Sequence, residues 1–274
     1  MTLHADADLP PSYAEATGTN LANRTAVGRR STSSAPFIPV SSQGVSAGRM
    51  FPLAFSVYCE TPRRYLLGES HDSPIYAIST NPPFSMKPDL LIHHGISTDM
   101  PAMAAVHQEP FSRSATIILP RRPGSRLSAA SERLDSIGAF TKVMSFSIET
   151  SQPGGAREHF EWRHSSGIEV EALGGRHSGW KLVRVSPPPV YTSILGKKHN
   201  NTLGHSSDGR EVVAVWSGPI LFMNKVLRFR FLGAGADGSL GERWAIMAVA
   251  SALTIWNRDR RSRSSSLAAA SAGF

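Results

Sequence analysis

The chain has 274 residues, of which 41% are hydrophobic and 18% charged, and 29 Lys and Arg against 21 Asp and Glu give a net charge of +8. This length suits one large domain with tails or two small domains, and the basic balance is compatible with membrane surfaces or nucleic acid without establishing either. The single cysteine, Cys59, excludes an intrachain disulfide and a cysteine-based zinc site, and it favours a reducing compartment.

A disordered N-terminal tail is predicted at residues 1–50, which are rich in Ser, Thr, Ala and Gly and show no sustained hydrophobic period. Its first stretch, MTLHADADLPPSYAEA, has neither the basic nor the apolar region of a secretory signal. Together with the single cysteine, this predicts a cytoplasmic protein that is not secreted, with a peripheral membrane location left open.

Short strands are predicted along the next part of the chain, and we place one β domain at 51–260. Ten runs of alternating apolar and polar residues, separated by Gly, Pro, Asn and Ser, lie between positions 75 and 233. This pattern is typical of an antiparallel, mainly β fold. The runs are IYAIST (75–80), DLLIHHG (89–95), MAAVHQ (103–108), ATIIL (115–119), TKVMSFSIE (141–149), EHFEWRH (158–164), IEVEAL (168–173), GWKLVRV (179–185), EVVAVWS (211–217) and KVLRFRFLG (225–233).

One hairpin and two loop insertions are predicted among these runs. The segment HFEWRHSSGIEVEAL (159–173) contains two alternating runs with the predicted turn HSSG between them. In the first run aromatic residues alternate with charged residues, and in the second Ile and Val alternate with Glu. This pattern predicts a hairpin with one buried and one solvated face, and Glu158, directly before it, is assigned to the solvated face. The long polar segments 119–138 and 186–209 are predicted to be loops.

A buried C-terminal helix is predicted at about 240–257. No charge occurs from Trp244 to Trp256, and the pattern Ser239-Leu240-Gly241-Glu242 before this run is typical of a capping box. A helix that is apolar on every side has to be buried on every side. A sheet closed around it satisfies both patterns, whereas a helix on an open sheet, the alternative, would need a polar face. Beyond the helix, 261–274 is predicted to be a disordered tail.

Several stretches resemble a fungal branch of the tubby C-terminal-like superfamily, which includes LURP-one-related proteins and phospholipid scramblases. They are IYAISTNPPFSMKPDLLIHHG, FEWRHSSGIEVEALGGRHSGWKLVRV, EVVAVWS and RFRFLGAGADGSLGERWAIMAVASAL, within 75–258. The resemblance implies a closed barrel of about 12 strands around a central helix. It also implies an association with phosphoinositides or membranes, but the lipid contacts of tubby proteins do not map onto identifiable residues. The strands beyond ten are expected in FPLAFSVYCE (51–60) or in an insertion.

Two PPxY motifs are the most informative short motifs. Pro10, Pro11 and Tyr13 form the first, and Pro188, Pro189 and Tyr191 form the second. The prolines hold a polyproline II conformation and the tyrosine fills a neighbouring groove, which is the pattern that WW domains recognise. We therefore expect WW-domain partners such as HECT-type ubiquitin ligases. A stiff spacer with incidental tyrosines is the alternative.

A basic run follows the helix at Arg258, Arg260, Arg261 and Arg263. These arginines are candidates for contact with anionic lipid. A solvated cap that suits the helix dipole and a nuclear-localisation signal are the alternatives.

Catalytic and cofactor motifs are weak in this sequence. GAGADG (233–238) has the form of a dinucleotide-binding turn, but no second strand follows it, so a turn that reverses the chain is the preferred interpretation. His93 and His94 are adjacent on a predicted strand and point to opposite faces, so they do not form a shared metal site. We expect a monomeric, non-enzymatic adaptor with no cofactor, metal or nucleic acid. A scramblase-like lipid transporter, a structural protein and an enzyme with an unrecognised site are the alternatives.

Overall fold

The computed structural model of the protein describes residues 49–83, 85–110, 112–121, 128–138, 143–151, 155–186, 204–220 and 224–271, with side chains through Ser266. The N-terminal tail predicted for 1–50 therefore lies outside the described residues, except for Arg49 and Met50. All the described residues belong to one compact unit, Gly44–Phe274.

Twelve strands and three helices are formed by the described residues. The strands are β1 Ala54–Thr61, β2 Arg64–Ser70, β3 Ser73–Thr80, β4 Leu90–His93, β5 Ala102–Gln108, β6 Ala115–Leu119, β7 Ala130–Ile137, β8 Val143–Glu149, β9 Arg157–Ser165, β10 Gly179–Arg184, β11 Val212–Ser217 and β12 Lys225–Phe231. The helices are α1 Ile168–Glu171, α2 Gly233–Asp237 and α3 Glu242–Ser271.

The strands form a closed antiparallel barrel in which each strand pairs with its neighbours in sequence. β1 closes the barrel by pairing with β2 on one side and with β12 on the other. At the closure Phe55 lies opposite Phe229, and their rings stack with centroids 4.8 Å apart. Closure leaves no sheet edge without a hydrogen-bonding partner, which protects the barrel from pairing with other chains. The predicted closed barrel is confirmed.

The first half of α3 lies inside the barrel and forms the centre of its core. Trp244, Ala248 and Leu253 are 1%, 0% and 1% exposed, and they belong to one buried cluster with the inward side chains of the strands. Small side chains on this part of the helix, alanines and Ser251, let large strand residues approach closely. Trp162 shows this, because its indole N–H on β9 donates to the Ser251 hydroxyl at 2.8 Å. The predicted enclosure of the segment Trp244–Trp256 is confirmed.

Three strands lie outside the ten predicted runs. β1 occupies the FPLAFSVYCE segment, as proposed for a missing strand. β7 lies in the insertion 119–138, the other place expected for a missing strand, and the prediction of a loop throughout this segment is wrong for Ala130–Ile137. β2 was not predicted, because the consecutive leucines of RYLLGES obscure its alternation, although Tyr65 and Leu67 face the core.

The predicted hairpin at 159–173 is wrong in its second half. β9 pairs with β10, and residues 168–171 form the short helix α1. Val170 and Leu173 pack with Val212 and Val215 in a separate cluster. The three-residue spacing of Val170 and Leu173 suits one helical face, and so short a run fits a strand or a helix equally well.

Both ends of α3 differ from the prediction. The helix begins at Glu242 after Gly241, whose φ of +89° favours glycine. The predicted capping box requires Glu242 to be the third residue of the helix, but Glu242 is its first residue, so the prediction is wrong. At the other end α3 continues to Ser271, so the predicted disordered tail is wrong for 261–271, and 272–274 lie outside the described residues. Arg and Ala are good helix formers and support this extension.

Candidate functional site

The two ends of the barrel carry the candidate sites, and α3 connects them. Because successive strands are antiparallel, their connections alternate between the ends. We call the end where α3 enters the entrance end; it contains the connections after β2, β4, β6, β8, β10 and β12. The other end, where α3 leaves the barrel, is the exit end.

At the exit end, Arg261 ties α3 to the barrel rim. Its Nη1 donates to Asp89 Oδ1 at 2.9 Å and to Gln108 Oε1 at 3.4 Å, and its Nη2 donates to the Asn81 carbonyl at 2.5 Å. Asp89 in turn accepts from the Gln108 backbone N–H at 2.9 Å. This charge-assisted network fixes the turn of α3 that leaves the barrel.

Arg258 and Arg260 make further contacts at the same rim. Arg258 Nη1 donates to the Arg113 carbonyl at 2.6 Å, and burial lowers the pKa of its guanidinium despite the charge of Asp259. Arg260 lies over the rings of Tyr65 and Trp256, with its guanidinium carbon 5.7 and 5.6 Å from their centroids. Burial raises the pKa of Tyr65, and the charge of Arg260 partly offsets this effect.

Of the four arginines predicted to contact lipid, three therefore hold the helix to the barrel. Arg263 differs, because its side chain is exposed and makes no hydrogen bond or ion pair with the described residues. Arg258, Arg260 and Arg261 all contact the rim at the exit end. Arg263 instead lies on the exposed residues 262–266 of α3, which we call its projecting part. A solvated cap does not describe the first three residues.

The exit end also carries exposed basic and apolar side chains that sequence analysis missed. Met86 is 100% exposed and Ile220 is 65% exposed, each in a separate connection at this end. Basic side chains exposed at the same end are Arg63, Lys87, Arg113 and Arg176. An isolated apolar residue in a loop gives no periodic signal, so only the topology places these residues at one end.

At the entrance end, a buried ion pair joins β9 and β10. Arg184 Nε and Nη2 donate to the two carboxylate oxygens of Glu158 at 2.5 and 2.8 Å, and Thr150 Oγ1 donates to Glu158 Oε1 at 2.8 Å. Arg184 also lies 3.5 Å from Glu211 Oε2. The hydrogen bonds to Glu158 raise the pKa of Arg184 despite its burial. Glu158 was assigned by sequence to the solvated face of a hairpin, and this assignment is wrong because it is 6% exposed.

Glu211 also explains the GAGADG segment. Its Oε1 accepts from the Ala234 N–H at 2.7 Å, at the start of α2. A Cβ added to Gly233, whose φ is +46°, would collide with this carboxylate. The protein's own acid thus occupies the place where a dinucleotide phosphate would bind. The predicted turn is partly helical, and it ends at Gly238 with φ of +83°.

A cleft of about 100 Å³ lies beside the start of α3. Phe51, Leu53, Phe231 and Trp244 line it, with Arg49 among the remaining lining residues. The buried Trp244 Nε1 has no hydrogen-bond partner among the described residues. The cleft is too small for a drug-sized ligand, for which pockets of about 300 Å³ or more are usual.

His93 has structural partners on two sides. His93 lies 5% exposed on β4, with Ser79 Oγ 2.8 Å from its Nε2 and the Met100 carbonyl 3.0 Å from its Nδ1. Within the described ranges, no three side chains of His, Cys, Asp or Glu are grouped to hold a metal ion. Of the helices described, none combines the length and hydrophobicity that a bilayer crossing requires.

Both PPxY motifs lie outside the described residues, since 1–48 and 187–203 are not among them. Comparisons of the chain with models of protein families, with curated proteins and with solved structures each gave no match.

Proposed function

We propose that this protein is a non-enzymatic adaptor in which a closed barrel presents two PPxY motifs to WW-domain proteins. The observation that carries the proposal is the pair of motifs, Pro10-Pro11-Ser12-Tyr13 and Pro188-Pro189-Val190-Tyr191, in a chain whose barrel interior is filled by its own helix. Because α3 fills the barrel interior, we expect partners to bind on the outside of the barrel. Two motifs would raise the avidity for a partner with several WW domains where the connecting chain permits both to bind.

The position of the second motif supports this proposal. It belongs to the connection between β10 and β11, whose flanking residues are fixed by hydrogen bonds. Val185 donates its N–H to the His159 carbonyl at 2.8 Å, and Ser206 donates its N–H to the Arg210 carbonyl at 2.8 Å. The described residues on either side of this connection therefore lie at the entrance end, so a partner bound to the motif would be tethered to that end of the barrel.

The test is pull-down of the full chain by a tandem WW-domain protein of the ubiquitin-ligase type. The double variant Tyr13→Ala/Tyr191→Ala removes both aromatic side chains from the grooves, so we expect its retention to fall by at least tenfold, which corresponds to about 1.4 kcal/mol. Tyr58→Phe, a conservative change on β1, serves as the control. Undiminished retention of the double variant would show that the motifs are not used.

We also propose that the exit end faces an anionic membrane surface. Exposed basic residues there, with Arg263 on the projecting helix, would be attracted to acidic headgroups, and the exposed Met86 and Ile220 would enter the interfacial region. Phosphoinositide is one such anionic lipid. Sedimentation with phosphatidylserine vesicles should fall as salt rises and in Arg263→Ala, whereas binding that ignores salt contradicts the proposal.

A scramblase-like transporter is the second candidate and rests on the resemblance to the tubby-like superfamily. The order of the elements, twelve strands followed by a helix inside the barrel, supports that relationship as a proposal. Lipid transport would require Trp244–Trp256 to leave the barrel, although these residues form its core. A vesicle assay with a fluorescent phospholipid separates the candidates, because only the transporter accelerates lipid exchange between leaflets.

A further inference from the structure

Residues 262–266 of α3 include four serines, Ser262, Ser264, Ser265 and Ser266, and all four side chains are exposed. Their hydroxyls donate to carbonyls of the same helix: Ser264 to Arg260 at 3.1 Å, Ser265 to Ser262 at 2.9 Å and Ser266 to Ser262 at 2.9 Å. None of these bonds connects the serines to a strand. The hydroxyl oxygens are thus accessible to an enzyme that modifies them.

Arginines precede these serines at spacings that a phosphorylating enzyme can recognise. Arg263 lies three residues before Ser266, and Arg261 lies five residues before it. Protein kinases select substrates by charge pattern, and those with acidic pockets select arginines on the N-terminal side of the acceptor hydroxyl.

The structure distinguishes Ser266 from Ser264. The arginine three residues before Ser264 is Arg261, whose guanidinium is held by Asp89 and the Asn81 carbonyl. The arginine three residues before Ser266 is Arg263, which is exposed and without a partner among the described residues. A kinase can therefore bind Arg263 without breaking a contact that holds α3 to the barrel.

Kinases bind their substrates in an extended form, so this segment has to unwind locally. Serine is a weaker helix former than alanine, and the segment lies at an end of the helix, where opening costs least. Arg261 remains attached to the rim and confines the unwinding to the residues beyond it. The buried part of α3 is not disturbed.

We propose that Ser266 is a phosphorylation site for an arginine-directed serine kinase. In the transfer, the Ser266 Oγ forms a bond to the γ-phosphorus of ATP while the bond from that phosphorus to the bridging oxygen breaks. ADP leaves with the electron pair, and the hydroxyl proton passes to a base of the kinase.

The phosphate reverses the charge of the exposed segment. It adds a charge of about −2 next to the single positive charge of Arg263, which lies within helical reach three residues earlier. The segment then repels an anionic surface. This consequence, an electrostatic switch, rests on the membrane attachment proposed above, whereas the phosphorylation itself does not.

The experiment incubates the full chain with ATP and an arginine-directed serine kinase, measures phosphate uptake by intact mass and maps the site by peptide mass spectrometry. We expect one phosphate at Ser266 and its loss in Ser266→Ala. Arg263→Ala should slow the uptake at least tenfold, as expected for a lost charge-assisted contact of about 1.4 kcal/mol. Ser265→Ala should be modified at the rate of the wild type.

The outcomes separate the two proposals. Three results would each overturn the proposed site. They are phosphate at other residues with none at Ser266, no phosphate uptake by the chain while a control peptide is modified, and an unchanged rate of uptake in Arg263→Ala. In sedimentation with phosphatidylserine vesicles, the phosphorylated chain should bind less than the unmodified chain, and equal binding overturns the switch. When neither form binds vesicles, the membrane attachment fails and a mapped Ser266 phosphate still supports the site.

Discussion

The two halves of α3 are parts of one continuous helix in opposite environments. Trp244–Trp256 has no charge and lies inside the barrel, whereas Ser262–Ser266 is polar and exposed. The inner half owes its stability to enclosure, because its burial removes apolar surface from water. The outer half depends on helix propensity and on its attachment at Arg261. The comparison of these two parts shows that a helix without a polar face has to be enclosed on all sides. Where α3 leaves the barrel, charged side chains form hydrogen bonds to the rim.

Ala248→Asp should produce the largest effect, because it places a carboxylate among apolar side chains with no positive partner. Ala248 is 0% exposed and belongs to the core cluster. We expect a loss of about 4 kcal/mol or more in the free energy of unfolding, enough to unfold a domain of ordinary stability. Urea unfolding followed by circular dichroism measures this loss.

The matched change in the outer half is Ser262→Asp. Its side chain is exposed, so we expect a change within about 0.5 kcal/mol. Equal losses in the two variants would mean that the two halves of α3 do not differ in their surroundings, contrary to the enclosed arrangement.

Ion pairs at the two ends of the barrel provide the next comparison. Arg184→Ala at the entrance end leaves Glu158 buried without its partner, and we expect a loss of about 3 kcal/mol. Arg261→Ala at the exit end should cost about 1–2 kcal/mol, because Asp89 is more exposed and keeps its bond from the Gln108 N–H. Denaturant titration of both variants tests this order.

Arg263→Ala is the control for the exit-end variant. It removes an arginine from the same helix without breaking a contact to the described residues, so its stability should remain within about 0.5 kcal/mol of the wild type. If Arg263→Ala lowered the free energy of unfolding as much as Arg261→Ala, the positive charge on this helix would contribute more to stability than the hydrogen bonds of Arg261 to the rim.

The sequence predicted the parts of the fold that depend on a sustained pattern. The uncharged run from Trp244 to Trp256 was sufficient to predict the helix and its enclosure, and nine of the ten alternating runs correspond to strands. The predictions of secondary structure fail where the local sequence pattern favours one structure and the tertiary contacts stabilise another. IEVEAL alternates like a strand, but residues 168–171 form helix α1, and Val170 and Leu173 pack in a cluster separate from the main core.

The candidate sites were less predictable than the fold. The arginines after the helix were identified as a group, but their roles depend on partners distant in sequence. Arg261 bonds to Asp89 and Asn81, and no local pattern indicates such pairs. The same holds for Glu158, whose alternation with aromatic residues suggested a solvated position although Arg184 and Thr150 enclose it.

Apart from the exposed control positions Ser262 and Arg263, the smallest predicted effect concerns Tyr65, which contacts α3 where its buried and exposed parts meet. Its hydroxyl donates to the Pro62 carbonyl at 2.9 Å, and its ring contacts Trp256 edge-on with centroids 4.9 Å apart. Burial raises the pKa of Tyr65 above its value in the unfolded chain. The neutral phenol is therefore favoured in the folded state, and its contribution to stability is present below pH of about 10 and is lost as the pH rises through the folded-state pKa.

Tyr65→Phe separates this titration from those of the lysines and other tyrosines, which both proteins share. At neutral pH the variant should lose about 1 kcal/mol with the hydrogen bond to Pro62. Above pH of about 10 the free energy of unfolding should fall less steeply with pH in the variant than in the wild type, because one proton fewer is released on unfolding. Parallel slopes would place Tyr65 in contact with solvent, and the boundary between the enclosed and projecting halves of α3 would then lie deeper in the barrel than Trp256.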